Sequence, residues 1–126
     1  MVTADVDARG RLTFRFEKDF AQNLVGIATH LFWAVYRTHV SKHSPAGWPD
    51  LVLLHEGAGI SVFAELKLDQ GSRKKKEREL TPAQRLTLLA LWRAGHRVFV
   101  WTPSYAHQFM AVLLRQYEHI GDKQPS

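Results

Sequence analysis

Apolar residues repeat with a helical period near the start of the chain. Phe16, Phe20, Leu24, Ile27, Ala28 and Leu31 recur every three or four positions, which predicts one amphipathic helix from about Phe16 to Trp33. Val35-Tyr36, flanked by Ala34 and Thr38, reads as a short strand. Ser41 to Gly47 is polar and carries Pro and Gly, so it reads as a loop. Leu51-Val52-Leu53-Leu54 is continuously apolar, and Ile60-Ser61-Val62-Phe63-Ala64 nearly so. Such strands belong in a sheet covered on both faces. Gly57-Ala58-Gly59 joins them as a hairpin turn.

A polar connection over 69–79 leads into a second helix. Thr81 suits its cap and Pro82 its first position. Leu86, Leu89, Ala90 and Trp92 supply its apolar residues, and Gly95 ends it. Val98-Phe99-Val100-Trp101 is a further strand. Pro103-Ser104 opens a last helix carrying Phe109, Val112, Leu113 and Tyr117. The predicted order is helix, strand, strand, strand, helix, strand, helix: an α/β fold, with a parallel crossover between the last two strands. Residues 1–10 and 120–126 read as loose tails of a single domain over 1–126. Trp33, Trp92 and Trp101 fall on apolar faces and are expected in the core.

Composition narrows the function. The 126 residues include no cysteine, which excludes disulfides and thiolate metal sites. No signal-peptide pattern and no apolar run of membrane-spanning length is present, so the expected location is the cytoplasm. The formal charge is +5, which attracts polyanions. Arg73-Lys74-Lys75-Lys76-Glu77-Arg78-Glu79 holds five positive and two negative residues. Those cations, with Lys42 and His43 in the earlier loop, are candidate phosphate contacts. A solvated loop is the alternative. His39 and His43 are four apart, but on a loop this spacing does not make a zinc site. Trp48 can stack on a base or cover a site.

Candidate chemistry lies where the apolar strands meet acids. Asp50 opens one strand; Glu65-Leu66-Lys67 closes the next, fifteen residues on. Glu65 and Lys67 share a face of their strand. A tight turn near Ala58 brings Asp50 opposite them, though a one-residue slip would send the two acids to opposite faces. Together, two carboxylates offer hard oxygen ligands for Mg²⁺ or Mn²⁺, with the Leu66 carbonyl as a further oxygen. Lys67 can then stabilise charge on a phosphate or orient the attacking water. A strand-end Asp–Lys or Glu–Lys pair is the simpler reading of the same residues.

Four ordered motifs make the pattern more specific: Gly47-Trp48-Pro49-Asp50-Leu51, Phe63-Ala64-Glu65-Leu66-Lys67, Leu80-Thr81-Pro82-Ala83-Gln84 and Ala94-Gly95. With them the chain resembles the VRR-NUC family, a branch of the PD-(D/E)xK nucleases, from about Glu17 to Trp101. The resemblance implies a restriction-endonuclease-like core, a mixed sheet of about four strands flanked by helices. It implies that Glu17, Asp50 and Glu65 serve the metal, that Lys67 serves the water, and that Gln84 donates to phosphate or water. It also implies a DNA endonuclease of the free-standing viral or bacterial type, resembling junction resolvases that act on branched DNA. Symmetric cleavage of a branched junction needs two sites, hence a homodimer. For Glu17 the other reading is an acid favouring a helix N-terminus; for Gln84, a polar first-turn residue. A non-catalytic nucleic-acid-binding module of the same fold is the alternative function.

Overall fold

The computed structural model describes residues 5–6, 12–14, 17–38, 47–69 and 79–115. Among them, β1 (Asp5–Val6) pairs antiparallel with β2 (Leu12–Thr13), an element too short for the apolar pattern to signal. The remaining elements are α1 (Glu17–His30), β3 (Ala34–Arg37), β4 (Leu51–His55), β5 (Ile60–Leu66), α2 (Pro82–Arg93), β6 (Arg97–Trp101), a 3₁₀ turn over Pro103–Tyr105, and α3 (Ala106–Leu113). The main sheet runs β3-β4-β5-β6. Its first two pairings are antiparallel and β5 pairs with β6 in parallel. This is an α/β fold with a four-stranded mixed sheet flanked by helices, consistent with a restriction-endonuclease-like core.

Alternation along the strands divides the sheet into two unlike faces. Leu51 and Leu53 of β4, Val62, Ala64 and Leu66 of β5, and Trp101 of β6 are buried on one face. Phe20, Leu24 and Ala28 of α1 lie one turn apart and close over it, with Phe109, Val112 and Leu113 of α3. Each buried Leu, Val or Phe among them contributes about 1.5–3 kcal/mol by leaving water. The indole of buried Trp33 donates to the Leu113 carbonyl at 2.9 Å, tying the end of α1 to α3.

The other face departs from the expectation of a sheet covered on both sides. There α2 lies against β6, and Leu88 and Val98 are buried. Beyond that strip the face opens. Leu86 of α2 is 70% exposed, Trp92 is only half-buried rather than core, and Tyr36 and Leu54 are exposed. A single short helix cannot span four strands, so the β3–β4 half of this face has no helix over it among the described residues.

The turns follow their local chemistry. At the end of α2, Gly95 (φ +95°) and His96 return their N–H groups to Trp92 and Leu91, closing the left-handed cap expected of a C-terminal glycine. At the end of α1 the same place is taken by Phe32 (φ +72°). Phe32 and Trp33 donate to the carbonyls of Thr29 and Ala28, so α1 stops at His30 rather than at Trp33. No helix among the described residues is long and apolar enough to cross a membrane.

Candidate metal centre

The strand register decides whether the acids meet. Leu51 faces Ala64, and each step along β4 is matched by one along β5. Continuing the ladder by one residue sets Asp50 opposite Glu65, on the face that carries Val52 and Phe63. The Asp50 carboxylate oxygen Oδ2 accepts the Leu66 N–H at 2.8 Å, fixing the acid across the end of the pair. Leu66 thus meets this site through its amide. Lys67 is 3% exposed. Its N–H donates to the Trp101 carbonyl at 2.9 Å, extending the β5–β6 pairing past Leu66. That contact holds Lys67 two positions beyond Glu65.

Glu17 arrives from another element. It is the first residue of α1, where an acid favours the positive end of the helix dipole. Burial of Phe20 and Leu24 against the sheet anchors α1 with its first turn at the strand ends. One carboxylate oxygen from each of Glu17, Asp50 and Glu65 lies within 4.8 Å of the others.

Glu65 sits deepest, at 1% exposure. Its Oε2 is buried with no hydrogen-bond partner. Burial first, then a hydrogen bond from its carboxyl to Asp50 and the negative charge of Asp50, push its pKa up to about 10. Glu17 adds to the rise and the Lys67 charge works against it. Burial and the neighbouring Asp50 thus favour the protonated form of the Glu65 carboxyl in the folded chain.

These residues fit a small divalent cation. Opposite ligands of an octahedral Mg²⁺ stand about 4 Å apart, so small side-chain rotations gather the three oxygens. An unpartnered buried oxygen is costly where it stands, and a cation is the partner that would satisfy it while displacing the proton. The set is all oxygen, the donor type of hard divalent cations.

The surrounding loop is held tightly. Gly47 has φ +81°, and a Cβ there would lie 2.3 Å from the Ala83 carbonyl oxygen and 2.7 Å from the Gln84 nitrogen. Glycine thus lets the chain before Asp50 press on the first turn of α2. Thr38 ties the same loop to β3, donating from Oγ1 to the Pro49 carbonyl at 2.7 Å and from its N–H to the Asp50 carbonyl at 2.9 Å. Gln84 is committed to a capping box: its Oε1 accepts from the Thr81 N–H at 2.9 Å, and its own N–H donates to Thr81 Oγ1 at 3.1 Å. The polar first-turn reading of Gln84 therefore holds for its oxygen, and only its amide nitrogen is left to serve a phosphate.

The candidate phosphate contacts Lys42, His43, Arg73, Lys74, Lys75, Lys76 and Arg78 lie outside the described residues, as does His39. Three features were missed by the sequence reading. The Thr38 tie leaves no pattern in sequence. Trp48 packs edge-on against Phe63 at 5.8 Å, and Phe63 against His96 at 4.9 Å, a cluster that Trp48 alone hinted at. Asp69, just past Lys67, accepts from the Ser104 N–H at 2.9 Å and from its hydroxyl, fastening the end of this segment to the turn after β6. Compared with known proteins, the chain matches no family model, no curated protein and no solved structure.

Proposed function

We propose that the chain is an Mg²⁺- or Mn²⁺-dependent endodeoxyribonuclease that hydrolyses phosphodiester bonds, with branched or duplex DNA as substrate and a homodimer as its working form. One observation carries the reading: Glu17, Asp50 and a buried Glu65 with an unpartnered oxygen converge within 4.8 Å, with Lys67 two positions along the same strand. The four motifs that resemble VRR-NUC nucleases point the same way, and the net charge of +5 suits a polyanion.

In this reading Glu17, Asp50 and Glu65 hold the cation. A bound divalent ion polarises a phosphoryl oxygen and lowers the pKa of a water. Asp50, anchored by the Leu66 amide, keeps its carboxylate aimed across the strand end. Glu65 gives up its proton as its second oxygen gains a partner. Lys67 donates hydrogen bonds to the scissile phosphate or the attacking water, where its charge offsets the negative charge that develops. Gln84 adds a neutral donor from the first turn of α2.

The test is a cleavage panel of branched, flapped and linear DNA, with Mn²⁺ or with EDTA. Cleavage should need the metal, and Lys67→Ala should abolish it while leaving DNA binding mostly intact. Undiminished cleavage by Lys67→Ala would remove this assignment. DNA binding with no cleavage on any substrate, and no divalent binding, would leave the non-catalytic nucleic-acid-binding module.

A further inference from the structure

We propose that the open half of the sheet is a stacking platform for unpaired nucleobases, with Tyr36 as its principal ring; the inference rests on the nuclease reading and names the form of polynucleotide that lies beside the cleavage site. Strand pairing places side chains in cross-sheet rows. Tyr36 faces Val52, and Val52 faces Phe63. The adjacent row, one alternation along, is the one holding Asp50 and Glu65. A further row behind holds Ala34, Leu54 and Ser61. All project from the face that α2 covers at β6; Trp48 and His96 pack on Phe63 there, and the open part is the β3–β4 end. Tyr36 is 60% exposed and Leu54 37%.

The distance fits one continuous ligand. Two residues along a strand and one strand across set the Tyr36 and Asp50 backbones about 8 Å apart, a span that a short stretch of extended polynucleotide covers. Its phosphate at the carboxylates would leave a neighbouring base over Tyr36. The chain's excess of positive charge complements a polyanion. Val52 and Leu54 offer no donors to phosphates. What such a surface can take is the flat face of a base, and a base shows that face only when it is out of a duplex. Strand ends, flaps and branch points present such bases; an intact duplex does not.

The experiment measures fluorescence anisotropy of a labelled oligo-dT and of a duplex of equal length, both in EDTA so that nothing is cut. Tyr36→Ala should weaken oligo-dT binding at least about fivefold, the loss of one stacked base, and duplex binding much less. Tyr36→Phe should bind oligo-dT as the parent does. Circular dichroism checks that both variants fold, and sedimentation checks their assembly state. Equal oligo-dT binding by Tyr36→Ala, equal losses on duplex and single strand, or no binding of oligo-dT by the parent would each overturn the platform. So would a Tyr36→Ala variant whose only change is dissociation of a dimer, because the face would then belong to a second copy. Because the readout needs no metal, it separates the two ideas: Tyr36-dependent binding with no cleavage sinks the nuclease and keeps the platform, and cleavage with no Tyr36 effect does the reverse.

Discussion

Replacing Glu65 with glutamine should stabilise the metal-free protein, increasingly so as the pH rises. The substitution keeps the side chain's size and its ability to donate to Asp50, but removes a group that must lose a proton to become charged. Burial, the hydrogen bond to Asp50 and the charge of Asp50 raise the Glu65 pKa from 4.5 to about 10 in the folded chain. The folded protein therefore holds a proton that the unfolded chain releases. The stability tied to that proton is fully present below about pH 4.5 and drains away as pH climbs towards 10. Each pH unit in that window costs about 1.4 kcal/mol, so from pH 6 to 8 the parent should lose about 2.7 kcal/mol relative to Glu65→Gln. With a urea slope of about 1–3 kcal/mol per molar, the gap between unfolding midpoints should widen by roughly 1–3 M over that range. The assay is urea unfolding of both proteins at several pH values in EDTA. Taking the difference between them cancels the seven histidines, which titrate in both. Unfolding curves that keep a constant separation from pH 6 to 8 would refute a protonated, buried Glu65.

The other predictions concern the supports of the site. Gly47→Ala combines a left-handed backbone with a Cβ placed 2.3 Å from the Ala83 carbonyl, and should cost roughly 2–4 kcal/mol in chemical denaturation. Thr81→Ala removes the cap of α2 and one side of its box with Gln84; a loss of about 1 kcal/mol is expected, again read by urea unfolding.

Much of the site was legible because strand chemistry is local. The apolar runs at 51–54 and 60–64, broken by Gly57-Ala58-Gly59, set the hairpin, and Asp50 and Glu65 follow from its ends. What the sequence left open was register, and the Leu51–Ala64 pairing resolves it in favour of the two acids meeting. Glu17 was harder, since an acid at a helix start has its own local reason to be there; only the packing of Phe20 and Leu24 swings it towards Asp50. The half-open sheet was not legible at all. Val52 and Leu54 look like core in a run of four apolar residues, and nothing local tells which side a single short helix will cover. The cap of α1 escaped for a related reason: Phe32 stands in a left-handed position where sequence rules look for glycine.

The central claim is that Glu17, Asp50 and a protonated Glu65 form a latent cation site. Calorimetric titration of Mn²⁺ at pH 7, repeated in buffers of different ionisation enthalpy, tests it most directly. A single ion should bind per chain with release of close to one proton, and Asp50→Asn should abolish both. No Mn²⁺ binding, or binding that releases no proton and survives Asp50→Asn, would contradict it.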